Sequence, residues 1–127
     1  MRCPCGLDAD YDACCGRYHR GDATAPTAER LMRSRYSAFA VGDAAYLART
    51  WHPSTRPGDV GIDAATRWTG LEILGKSGGS ALDTEGTVRF RAHYTERGKG
   101  GRLSEHSLDE NSRFVVMDNA WVYVSAI

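Results

Sequence analysis

The sequence predicts an α+β chain: a small cysteine-rich N-terminal module, then helices, then an antiparallel sheet. Three patterns carry that prediction. All four cysteines fall within the first fifteen residues. Apolar residues recur at three- and four-residue spacing between positions 26 and 41, and from about Trp68 the apolar period drops to two. Helical periodicity first and strand periodicity afterwards argues against a doubly wound parallel sheet, where the two would alternate.

Residues 1–22 are dominated by Cys, Gly, Asp and Tyr and show no hydrophobic periodicity. Such a segment cannot fold by burying a core of its own, so the chain divides into a module over 1–22 and a domain over 23–127. Pro26 and Thr27 then suit a helix start, and Glu29 falls in the first turn, where the helix dipole favours an acid. Ala28, Leu31, Met32, Tyr36 and Phe39 share one face of that helix. Gly42 stops it, and Asp43 can cap a second, short helix through Tyr46, Leu47 and Trp51. Pro53 and Pro57-Gly58 turn the chain into a loop.

The strands follow. Leu71 and Ile73 alternate with Glu72 and Leu74, and Gly75 and Gly78-Gly79 break the run. Val88, Phe90, Ala92 and Tyr94 alternate with Thr87, Arg89, Arg91 and His93, which predicts one buried and one polar face. Glycines 98, 100 and 101 mark a turn, Leu103 to Met117 supplies one or two strands, and Trp121 to Val124 forms the last. Asp118-Asn119 provides the turn before it.

Composition narrows the function classes. With 127 residues, 42% hydrophobic and 25% charged, the chain is composed like a soluble globular protein and not like a disordered tail. Sixteen Lys and Arg balance sixteen Asp and Glu, so no global charge draws it to nucleic acid or an anionic membrane. The start lacks the apolar run of a secretory signal, and no stretch approaches the roughly 20 apolar residues that span a bilayer. The expectation is a cytoplasmic protein. Thiols stay reduced there, so clustered cysteines read as metal ligands before disulfides.

Cys3-x-Cys5, eight residues, then Cys14-Cys15 is the strongest chemical signal in the chain. Four thiolates satisfy a tetrahedral zinc ion, and a closed four-ligand set is the structural kind. A coreless segment needs such a staple, and structural zinc supplies roughly 10–16 kcal/mol of folding free energy. The redox Cys-x-x-Cys spacing is absent, and a vicinal disulfide between Cys14 and Cys15 would be strained. His19, four residues after Cys15, stands as an alternative fourth ligand; the vicinal cysteine is preferred on spacing.

The string Cys3-Pro4-Cys5-Gly6 … Tyr11 … Cys14-Cys15-Gly16 resembles the SEC-C motif, the small zinc-binding module at the end of the SecA preprotein translocase. Carried over residue by residue, its ligands fall on Cys3, Cys5, Cys14 and Cys15. Leu7-Asp8-Ala9-Asp10 replaces the motif's usual Ser-Gly-Lys-Lys, so a face that is often basic is acidic here. The stretch Ala25 to Phe39, Tyr46-Leu47, Thr50-Trp51-His52-Pro53 and the later Ser112-Arg113-Phe114 are similar to the YchJ-like family of bacterial proteins. Residues 105–112 offer two candidates for that family's Glu-x-Ser, one at Glu105 and one at Glu110. The resemblance implies a nuclear-transport-factor-2-like domain after the zinc module, with helices in the concave face of a curved antiparallel sheet. It implies no activity.

A cone of that kind has a pocket. The residues expected at it are Arg35, Tyr36, Trp51, His52, His93 and Glu105, with a histidine as general base in an enzyme reading. The blander expectation makes Arg35 one half of a buried ion pair and leaves Arg89, Arg91 and His93 as a solvated face. Most strand aromatics are expected in the core, and the Arg30, Arg33 and Arg35 group is the only candidate basic patch, so nucleic acid is not the expected partner. Two functions follow. One is an adaptor in which zinc supports a protein-binding surface made acidic by Asp8, Asp10, Asp12 and the thiolates. The other is a small-molecule binder or enzyme using the pocket.

Overall fold

In the computed structural model, which describes residues 1–127, the module contributes helix α1 (Cys15–His19). Helices α2 (Ala28–Val41) and α3 (Ala44–Arg49) follow. Strands β1 (Thr66–Gly78), β2 (Glu85–Arg97), β3 (Leu103–Met117) and β4 (Ala120–Ala126) complete the chain. The helix boundaries have local causes. Thr27 is extended and its Oγ1 accepts the Arg30 N–H at 3.1 Å, so α2 begins one residue later. Gly42 ends α2 in the left-handed region (φ 82°) with its N–H on the Ala38 carbonyl. Asp43 Oδ1 then accepts the Tyr46 N–H at 3.0 Å and caps α3.

The sheet runs in the order β1-β2-β3-β4, every pair antiparallel. Leu103 to Met117 is a single long strand, and Asp118 and Asn119 both take positive φ in the turn that folds β4 back on it. Val88, Phe90 and Ala92 of β2 lie opposite Ser112, Glu110 and Leu108 of β3. Those residues form the concave face. Register shifts in β1 and at Arg113/Phe114 bend the sheet around α2. One apolar core results, with Leu31, Met32 and Tyr36 of α2 and Tyr46 and Leu47 of α3 packed against Val88, Phe90, Phe114 and Trp121. The C-terminal end of α3 is tied to β4: the Tyr123 N–H donates to the Thr50 carbonyl, and the His52 N–H to the Tyr123 carbonyl, each at 2.8 Å.

The β1–β2 hairpin also holds the start of α2, because the Gly79 carbonyl accepts the Ala28 N–H at 3.0 Å. That approach depends on Gly86, where an added Cβ would sit 2.4 Å from Gly79 N. Gly86→Ala is therefore expected to cost about 1–3 kcal/mol by overpacking against backbone that has nowhere to go. A lower urea midpoint would show it; an unchanged midpoint would mean the hairpin does not set the position of α2.

Although residues 1–22 read as separate, the module is docked onto the helices. Arg33 Nη1 donates to the Cys5 carbonyl at 2.6 Å, and Arg49 Nη2 to the Tyr18 and His19 carbonyls at 3.0 and 2.9 Å. Its own apolar cover is Leu7, Ala9 and Tyr11 around the four cysteines. No helix is long and apolar enough to cross a membrane.

Candidate metal centre and cone cavity

Cys3 and Cys5 lie on a turn that Gly6, at φ 89°, lets reverse, and Cys14 and Cys15 lead into α1. All four side chains are buried, and their sulfurs lie within 4.8 Å of one another, with Cys5 and Cys14 at 3.7 Å. No carboxylate or imidazole joins the cluster. The thiols shape one another's protonation. Hydrogen bonds from the Cys15 and Cys5 thiols push the Cys3 pKa far down, and the same contacts, with burial, push Cys15 far up. For Cys5 the Cys15 contact lowers the pKa, but Cys3 and burial outweigh it and lift the thiol to about 11. The cluster favours a thiolate at Cys3, and the Cys5 and Cys15 thiols deprotonate only around a cation. The chemistry is that of a closed, all-sulfur metal site.

His19 lies outside the sulfur cluster. Its Nε2 lies 2.8 Å from the Ser34 carbonyl, which only accepts, so Nε2 carries the proton. Nδ1 then accepts the Tyr11 hydroxyl at 2.5 Å. Nε2 thus fastens the module to α2 while Nδ1 is held within the module, and the ring packs on Tyr46 at 4.6 Å. The acidic stretch is paired as well. Asp8 meets Arg2, Asp10 the N-terminal amine, and Asp12 and Asp22 both meet Arg20.

A second site lies in the concave face, where α2, the loop after α3 and all four strands enclose a cavity of about 330 Å³. Met32, Phe39, Trp68 and Phe90 give it apolar walls, and its polar groups are Arg35, Trp51, Glu110, Ser112 and Tyr123. Arg35 is 4% exposed, and burial pulls its pKa down to about 10 against the pull of Tyr123, Tyr46 and Glu110. Nη1 donates to the Leu47 carbonyl at 2.9 Å and Thr50 Oγ1 at 2.7 Å, and the Trp51 and Tyr123 rings each lie 4.8 Å from the guanidinium carbon. Glu110 Oε2 accepts from the Ser112 and Tyr123 hydroxyls. Burial, with Glu110 next, pushes Tyr123 up to about 12, so it stays a neutral donor.

The family model described as the middle NTF2-like domain of YchJ matches residues 27–126, the helices and sheet that build this cavity. The chain belongs to the YchJ family. It is 59% identical to a UPF0225 protein of Streptomyces coelicolor over 95% of this chain and 90% of that one. The solution structure of a SEC-C motif containing protein from Rhodopseudomonas palustris superposes with a TM-score of 0.83 at 32% identity, covering 100% and 98% of the two chains. A crystal structure of a SEC-C motif containing protein from Psychrobacter arcticus gives 0.78 at 29% identity, covering 98% and 81%. A SEC-C motif and the α+β cone thus occur together in solved relatives.

Within this YchJ-family cone the expected pocket residues separate. Arg35, Tyr36 and Trp51 line the cavity. His52 does not; its Nδ1 accepts the Ser54 N–H. His93 and Glu105 do not either, because both have the strand parity that points away from α2. His93 pairs with Glu72 at 2.8 Å on the outer face, beside the Arg91–Asp109 pair, and Glu105 is exposed. The cavity carboxylate is Glu110, and the Glu-x-Ser that makes a side-chain hydrogen bond is Glu110–Ser112. Parity with Leu108 and Phe114 was the available signal. The expected ion pair of Arg35 is also corrected: backbone, hydroxyl and aromatic groups hold it, and no carboxylate bonds it. The three helix arginines form no common patch, since Arg33 bonds Glu29 and the Cys5 carbonyl while Arg35 is buried.

Proposed function

We propose that this chain binds a small organic molecule in the cone cavity, with the cysteine module acting as a structural zinc staple that buttresses the cavity wall. One observation carries the reading: Arg35 and Trp51 line an apolar cavity of about 330 Å³, a size within the range of ligand pockets, while holding N–H groups that no protein atom accepts. A buried donor without a partner, as at Trp51 Nε1, is costly, and a ligand acceptor that reaches it removes that cost. Zinc is favoured by the all-thiol donor set. A tetrahedral ion with Zn–S of about 2.3 Å places sulfurs about 3.8 Å apart, and Cys5 and Cys14 stand at 3.7 Å.

The module touches the cavity wall through α2. Cys3 Sγ lies 3.6 Å from Ser37 Oγ, next in sequence to the cavity residue Tyr36. An adaptor role for the module's acidic face is the weaker proposal, because those carboxylates already have cations of their own. A thermal-shift screen of small aromatic and aliphatic compounds on zinc-loaded protein tests the reading. Ligands at about a hundred times their Kd should stabilise by about 2.7 kcal/mol and raise Tm by several degrees. A screen in which nothing moves Tm or tryptophan fluorescence sinks the cavity reading. Elemental analysis finding no zinc under reducing conditions sinks the staple.

A further inference from the structure

We infer that the cavity selects an apolar monocarboxylate, taken head-first by Arg35 and Trp51; the inference rests on the cavity being the binding site. Counting donors and acceptors leads there. A guanidinium has five N–H groups. The two on Arg35 Nη1 are taken by the Leu47 carbonyl and Thr50 Oγ1. Both side-chain hydrogen bonds of Arg35 come from Nη1, which leaves Nε and Nη2 for a ligand, and Trp51 Nε1 is buried with no partner at all. On the acceptor side, Glu110 already receives the hydroxyls of Ser112 and Tyr123. Both of those bonds fall on Oε2, so Glu110 Oε1 remains an acceptor. The unfilled positions of Arg35 and Trp51 are all donors, and a ligand head that only accepts fits that side of the cavity best.

Charge narrows the choice. Arg35 is a buried cation with no direct carboxylate partner, stacked on two rings that leave its edge as the bonding surface. A carboxylate matches that fork with two oxygens. Glu110 shares the cavity, so a second negative charge on the ligand would be repelled, which disfavours dicarboxylates and phosphate dianions. Met32, Phe39, Trp68 and Phe90 then face the rest of the molecule, which must be apolar and can be aromatic.

The test titrates zinc-loaded full-length protein with 2-naphthoate, 2-naphthamide and 2-methylnaphthalene by calorimetry and proton NMR. Naphthoate is expected to bind at least tenfold tighter than the amide. It should also shift downfield the indole N–H resonance that disappears in Trp51→Phe. Trp51→Phe should weaken naphthoate about tenfold with an unchanged circular dichroism spectrum, and Arg35→Met should abolish its binding. Glu110→Gln, by removing the competing charge, should tighten naphthoate several-fold and leave the amide alone. Should Arg35→Met fail to fold, the other two variants still decide. Equal binding of naphthoate and naphthamide overturns the head-group assignment while the cavity reading stands, as does a Glu110→Gln chain with unchanged or weaker naphthoate affinity. No binding by any of the three overturns both.

Discussion

A Cys5→Ser chain is expected to retain no metal and to lose the fold of residues 1–22, while the cone stays folded at a lower melting temperature. Cys5 has no exposed surface and lies 3.7 Å from Cys14. Its hydroxyl replacement neither ionises nor completes a thiolate set. The module holds only Leu7, Ala9 and Tyr11 as apolar cover, so nothing replaces the roughly 10–16 kcal/mol that a structural zinc contributes. The cone survives because its core is a cluster that includes no cysteine and takes only Tyr18 from the module. It is weakened because the Cys5, Tyr18 and His19 carbonyls no longer order Arg33 and Arg49. Limited proteolysis confined to the first 22 residues, a metal-to-protein ratio near zero and retained β-sheet dichroism are the expected readings. His19→Gln is the control. It should keep the metal and lose stability, because both imidazole nitrogens serve Ser34 and Tyr11. If His19→Gln loses the metal and Cys15→Ser keeps it, the ligand set is wrong.

That control marks where sequence reasoning reaches its limit. Cysteine spacing identified the sulfur cluster because all its members are local, within thirteen residues of chain. The role of His19 depends on the Ser34 carbonyl, which only the docking of α1 on α2 brings near. Helix α2 was legible because Thr27, Gly42 and Asp43 act on their own neighbours. Strand parity was legible too, and taken strictly it excludes His93 and Glu105 from the concave face and admits Glu110. The unpartnered indole of Trp51 was not. It arises where α3 ends against β4 and the Tyr123 backbone takes up the Thr50 and His52 groups, a contact between residues some seventy apart. Local signals set elements; the cavity is made of distant ones.

Phe114→Ala is expected to cost about 3–5 kcal/mol, the range for deleting a fully buried phenylalanine. That is a large part of the roughly 5–15 kcal/mol that holds a domain of this size. Phe114 has no exposed surface, faces Gly86 across the sheet and meets the Tyr123 ring at 5.7 Å. It also follows the register shift at Arg113/Phe114 that sets β4, so it decides which β4 residue faces the cavity. With the ring gone, Tyr123 can drop into the void, and the contacts from Tyr123 to Glu110 and Arg35 go with it. Stability and ligand affinity should therefore fall together, although Phe114 does not line the cavity. Phe39 gives the contrast: it lines the cavity, is partly buried and packs at the edge of the core. Phe39→Ala should reduce affinity while costing much less in a urea unfolding curve. Phe114→Leu, which nearly conserves volume, should cost under about 1.5 kcal/mol. If Phe114→Ala costs under about 1 kcal/mol, the sheet and helices do not close around this residue. If it is destabilised yet binds ligand normally, β4 register is not what positions Tyr123.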